Sequence, residues 1–102
     1  MNNILVTGSE GQLGSELRAI AFRFTQYNLF FTNRLTLDIT DYNAVKAFTE
    51  TNKINAIINC AAYTSVDSAE SQSKLADAVN HLAVANLAKI AKQNNIKFIH
   101  IS

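Results

Sequence analysis

Two rhythms of apolar residues alternate along the chain. Short, nearly continuous apolar runs occur at Asn3–Thr7, Tyr27–Thr32, Ile54–Cys60 and Lys97–Ser102, the length and pattern of strands buried on both faces. Between them apolar residues recur at helical spacing. Gln12–Phe24 carries Leu13, Leu17, Ile20, Ala21 and Phe24, and Tyr42–Thr51 carries Ala44, Val45 and Phe48. Lys74–Gln93 carries Leu75, Val79, Leu82, Leu87 and Ile90, closed by Asn94-Asn95. Asp41 is placed to cap the second of these helices, and Val66–Glu70 reads as a short helical turn. Strands alternating with helices predict an α/β fold, a doubly wound parallel sheet covered on both faces. Right-handed crossovers predict the strand order 3-2-1-4, with strands 1 and 4 central in a complete fold. The last strand would leave an open edge, which finished domains usually cover. The chain therefore reads as truncated after the fourth main strand: one incomplete domain over residues 1–102, with no substrate domain.

Composition narrows the partners. Apolar residues make up 48% and charged residues 17% of the 102 residues, as in a globular interior. Nine basic and eight acidic residues leave a net charge of +1 with no basic run, so neither nucleic acid nor a membrane surface is an expected partner. Cys60 is the only cysteine, which excludes an intrachain disulfide and a cysteine metal cluster. No stretch has transmembrane length and the N-terminus is not a signal peptide. A cytoplasmic protein is expected.

The most informative stretch is Ile4 to Gly14. An apolar strand runs into Gly8, Gly11 and Gly14, the chain's three glycines, and an amphipathic helix follows. A strand, a turn with a glycine at every third position and a helix lay a dinucleotide pyrophosphate over a helix N-terminus. Gly8 serves the tight turn, Gly11 the approach of backbone to phosphate, and Gly14 the packing of helix on strand. The alternative is a strand–helix turn that only needs positive φ. With the glycine loop in place, the sheet is Rossmann-like.

The end of the second strand ordinarily carries an acid that holds the ribose 2′-hydroxyl of NAD. Here the residues are Thr32-Asn33-Arg34. Arg34 reads equally as a phosphate contact, favouring NADPH, and as a solvated loop arginine. In Leu37-Asp38-Ile39 a carboxylate beside a backbone amide has the groups to bind adenine's amine and ring nitrogen. On spacing alone, Asp38 and Asp41 read as loop and cap residues. Asn59 through Thr64 leaves the third strand at the ligand-binding edge. Cys60, Ala61 and Ala62 are small enough to admit a ribose or pyrophosphate, and Tyr63 and Thr64 supply hydroxyls. Cys60 itself reads as a small buried residue. Asn80, amid apolar neighbours, reads as a buried amide bracing the strand ends. His81 and His100 read as structural, and Asp67 and Glu70 as a solvated face rather than a metal site.

Taken together, Leu-Val-Thr-Gly-x-x-Gly-Gln-Leu-Gly, Leu-Asp-Ile-Thr-Asp, Ile-Asn-Cys-Ala-Ala-Tyr-Thr-x-Val-Asp-x-Ala-Glu, Ala-Val-Asn and Ile-His-Ile-Ser closely resemble the dTDP-4-dehydrorhamnose reductase family of extended short-chain dehydrogenases/reductases. The resemblance covers the whole chain and about the front third of a typical member. It implies cofactor contacts at Gly8, Gly11, Gln12 and Leu13 for phosphates and ribose, and at Asp38 and Ile39 for adenine. Ala62, Tyr63, Thr64 and Ile101 would lie along the ribose and nicotinamide. The implied reaction is hydride transfer from NADPH, with NADH also admissible, to the 4-keto carbon of dTDP-4-dehydro-L-rhamnose. The partner is thus a small-molecule nucleotide sugar, and the family admits a homodimer. The family's tyrosine, lysine and threonine all lie beyond Ser102, so no catalytic residue is expected in this chain. Some members bind Mg2+ through carboxylates between subunits, for which Glu16 is the matching residue. Two other readings share this front end: a non-catalytic regulatory subunit such as that of methionine adenosyltransferase, and a nucleotide-sugar epimerase or dehydratase.

Overall fold

A computed structural model of the protein describes residues 2–60 and 73–101, the first turn of the last helix (73–77) as backbone only. Four strands, β1 (Asn2–Thr7), β2 (Tyr27–Phe31), β3 (Ala56–Asn59) and β4 (Lys97–His100), alternate with helices α1 (Gln12–Ile20), α2 (Tyr42–Thr51) and α3 (Ser73–Gln93). All pairings are parallel. The α/β doubly wound, Rossmann-like sheet is therefore as expected.

Its strand order is not. The described strands run β2-β1-β3-β4, whereas the doubly wound pattern with right-handed crossovers predicts 3-2-1-4. β1 pairs on one side with β2 (Ile4 opposite Leu29) and on the other with β3 (Ile4 opposite Ala56). The reason lies in the segment after β2. Leu37 is buried and joins a core with Leu5, Val45, Ile54, Ile57, Leu87 and Ile90. The Asn86 side-chain amide of α3 donates to the carbonyls of Ile39 and Thr40 at 3.2 and 2.9 Å. These anchors draw the chain inward across the face shared by α2 and α3, and the next strand lands beside β1. Right-handed crossovers put α1 on the opposite face.

The helices differ from the periodicity in two places. α1 stops at Ile20 and continues as a single 3₁₀ turn, Ala21–Arg23, leaving Ile20 and Phe24 exposed. In α3 the inward stripe is Ala83, Leu87, Ile90 and Ala91, all buried, while Leu82 is 49% exposed. Ala83 lies about 100° around the helix from Leu82, so the stripe that contains Leu87 excludes it. α2 and α3 end in left-handed residues, Lys53 (φ 50°) and Asn95 (φ 56°), a common helix stop. The third and fourth strands are shorter than expected, and the turn expected at Val66–Glu70 lies outside the described residues. Among the described residues no helix is long and apolar enough to cross a membrane.

Candidate functional site

In an open parallel sheet ligands settle beyond the carboxyl ends of the strands, where successive connections diverge to opposite sides. With the order β2-β1-β3-β4 that divergence falls between β1 and β3. Thr7 and Asn59, the last residues of these strands, are both fully buried there. The Thr7 hydroxyl donates to Asn59 Oδ1 at 2.6 Å, and Asn59 Nδ2 lies 3.0 Å from His100 Nδ1. The Cys60 amide donates to the Thr7 carbonyl and the Ile101 amide to the Asn59 carbonyl. The edge is thus a braced row from β1 to β4, and a rigid row of this kind suits a surface on which a ligand is to be positioned.

The glycine loop rises from this row. Gly8 has φ 68°, a left-handed conformation that side chains disfavour. The Gly11 amide donates to the Gly8 carbonyl at 3.1 Å, closing the turn. Gly14 is the tight position: a Cβ there would sit 2.4 Å from Ser9 Cα and 2.7 Å from the Gly8 carbonyl oxygen. α1 can approach the loop this closely only with glycine at 14. The loop is also held by its side chains, since buried Ser9 accepts from Arg18 Nη2 at 3.1 Å, and the Arg18 guanidinium lies over the Phe31 ring.

Gly11 is the N-cap of α1, and no side chain caps that helix or places an acid in its first turn. The first N–H groups of a helix need an acceptor, and the helix dipole favours an anionic one. At Gly11 an added Cβ would meet only the Gly8 oxygen, at 3.4 Å, so the outer face of the turn is open. This donor set fits a pyrophosphate. Gln12 and Leu13 open the same helix, exposed and half-buried respectively.

The end of β2 lies against the loop. The Ser9 amide donates to the Thr32 carbonyl at 3.1 Å, and the Asn33 side chain donates to Glu10 Oε1 at 2.8 Å. Asn33 Oδ1 also accepts from the amides of Leu35 and Thr36, an Asx turn that presents Arg34 at the surface. Arg34 and Asp38 are close enough for the guanidinium charge to act on the carboxylate. Asp38 is held below its ordinary range chiefly by the Thr40 hydroxyl, then by the Thr40 amide, with Arg34 adding to them. Its Oδ1 thus already accepts two bonds within its own loop. Ile39 beside it is half-buried.

The structure therefore gathers Gly8, Gly11, Gln12, Leu13 and Gly14 around one turn and sets Arg34, Asp38 and Ile39 on the neighbouring loop. Ile101 follows β4 at the same edge. Ala61, Ala62, Tyr63 and Thr64 lie outside the described residues, as do Asp67 and Glu70. Cys60 is half-buried, and burial pushes its thiol pKa up, as suits a structural residue. Asn80 is half-buried rather than buried. Asn86 braces the loop at Ile39 and Thr40, and Asn59 and Asn33 brace strand ends. Glu16 is exposed, and among the described residues no three His, Cys, Asp or Glu side chains are grouped to hold a metal ion, so the magnesium expectation has no support. Asn33 was legible as an Asn-x-x-Thr turn; its pairing with Glu10, 23 positions away, had no local signal.

Comparison with known proteins agrees with this geometry. The chain is 38% identical to the dTDP-4-dehydrorhamnose reductase of Aggregatibacter actinomycetemcomitans across all 102 residues, which span 35% of that protein. It is 39% identical over 99 residues to the reductase of the same name from Mycobacterium tuberculosis, covering 97% of this chain and 32% of that one. Among solved structures, the Bacillus anthracis dTDP-4-dehydrorhamnose reductase in complex with NADP superposes with a TM-score of 0.88 at 31% identity, over all of this chain and 36% of that one. The chain thus spans about a third of the length of the relatives it matches. The family model for the RmlD substrate binding domain matches residues 1–102, and the chain belongs to that family, the dTDP-4-dehydrorhamnose reductases.

Proposed function

We propose that the protein carrying this chain reduces dTDP-4-dehydro-L-rhamnose to dTDP-L-rhamnose with NADPH, and that residues 1–102 form its cofactor-binding part. The observation that carries the reading is the glycine turn, with its uncapped helix start beside the divergence of β1 and β3. The NADP complex of the Bacillus anthracis reductase, which shares this fold, supports it. Bound NADPH supplies the hydride.

The chain's own residues bind and orient the cofactor. The amides around Gly11, Gln12 and Leu13 receive the pyrophosphate, and Gly8 and Gly14 give the turn the shape that aims those amides. Arg34 pairs with the 2′-phosphate. Asp38 accepts from the adenine amine while the Ile39 amide donates to the ring. Ala61, Ala62, Tyr63, Thr64 and Ile101 would lie along the ribose and nicotinamide. The proton donor lies outside residues 1–102, so residues 1–102 alone reduce no sugar nucleotide.

The test is to mix the purified full-length protein with NADPH and dTDP-4-dehydro-L-rhamnose and follow the absorbance of the reduced nicotinamide, identifying the product by chromatography. Substrate-dependent oxidation yielding dTDP-rhamnose is expected. NADPH binding without turnover of this sugar would retain the cofactor assignment and overturn the substrate.

A further inference from the structure

Along the chain the end of β2 has no acid; in the fold it has one. The glycine loop brings Glu10 alongside β2, and its Oε1 accepts from the Asn33 side chain at 2.8 Å. The neighbouring bond from the Ser9 amide to the Thr32 carbonyl holds the two segments in register. Asn33 has no freedom to turn its amide around, because its Oδ1 is committed to the amides of Leu35 and Thr36 at 2.9 and 3.0 Å. Its nitrogen must face Glu10. A carboxylate from one loop is thereby fixed at the tip of the neighbouring strand, where dinucleotide folds hold the adenosine ribose.

We propose that Glu10 is the residue that sets the choice between NADH and NADPH, acting from the glycine loop in place of the acid that ordinarily ends β2. Its carboxylate accepts from a ribose 2′-hydroxyl and repels a 2′-phosphate. Arg34, carried on the turn that Asn33 braces, acts in the opposite sense. Discrimination is then a balance of two opposed charges joined through Asn33, and it is narrow. The inference rests on the proposed dinucleotide site and adds to it the residue that opposes NADPH.

The experiment is calorimetric titration of NADP+ and of NAD+ into the full-length protein and its Glu10→Gln variant. Glutamine retains an acceptor for Asn33, so the turn stays tied and only the charge is lost. The ratio of NADP+ to NAD+ affinity should rise about tenfold in E10Q. The gain should shrink when the ionic strength is raised to about 1 M, where charges are screened within about 3 Å. Because both nucleotides are measured on one preparation, the ratio is unaffected by any loss of folded protein. An unchanged ratio with both nucleotides still binding overturns the role of Glu10 and leaves the site standing. Failure of the parent to bind either nucleotide overturns the site itself, and this inference with it.

Discussion

α1 and α2 both begin at the carboxyl edge of the sheet, and they satisfy their first N–H groups in opposite ways. α2 has Asp41 as its N-cap, and the carboxylate accepts from the Ala44 amide at 3.1 Å. α1 has Gly11, with no side chain to offer. Asp at an N-cap stabilises a helix by about 1 kcal/mol over alanine and by roughly a few tenths over glycine, so α1 forgoes a small gain that its neighbour takes. Under the proposed function the α2 start belongs to the fold and the α1 start is kept for a ligand, since a residue that capped α1 would occupy the place where the pyrophosphate binds.

The comparison can be broken most severely at Gly14. Gly14→Ala should cost on the order of 3 kcal/mol, because its Cβ would fall 2.4 Å from backbone that is itself buried. Denaturant unfolding checks this, and a midpoint equal to the parent's would refute the close approach of α1 to the loop.

Gly11 separates stability from binding. Its φ of −73° and ψ of 176° suit any residue, so Gly11→Val should fold yet lose dinucleotide affinity by a hundredfold or more, about 3 kcal/mol. Gly11→Asp should lose binding too, while gaining roughly a few tenths of a kcal/mol of stability as α1 acquires the side-chain cap that α2 has. Titration calorimetry and thermal melts on the same two variants distinguish the effects. Retained cofactor affinity in both would contradict the pyrophosphate assignment.

Arg34 stands on the loop between β2 and α2. Arg34→Ala should weaken NADPH by on the order of 1–3 kcal/mol and leave NADH nearly unchanged, read as the ratio of the two dissociation constants. Asp41→Ala should lower stability by about 1 kcal/mol without altering nucleotide affinity, the reverse of the Gly11 variants; a loss of affinity would show that the two helix starts are not independent.

The smallest effect concerns Asp38. Its pKa lies below the ordinary 3.8, so its hydrogen bonds to Thr40 stabilise the fold fully above that value and are lost as pH falls below it. The side chain is exposed, and the change is correspondingly slight. Acid unfolding of Asp38→Asn beside the parent should show a slightly shallower dependence below pH 3.8 in the variant.

The sequence by itself determined the order of the elements and the glycine turn between the first strand and the first helix. Strand runs, the Asp41 cap and the turn at Gly8 are properties of a few consecutive residues and reappear in the structure, while the helical spacing reappears except at Ile20, Phe24 and Leu82. The requirement for glycine at 14 was legible for the same reason, since helix and turn are contiguous. Tertiary structure alone decided which strands are neighbours, that Ala83 rather than Leu82 faces the core, and that Asn86 holds the loop over Ile39 and Thr40. It also decided that Glu10 and Asn33 meet. These depend on contacts between residues dozens of positions apart, and hydrophobic periodicity states only that a face is buried, not what covers it. Thr7 and Asn59 show the limit best: each is an ordinary polar residue at a strand end, and they form a buried hydrogen bond only because β3 docks on the free side of β1.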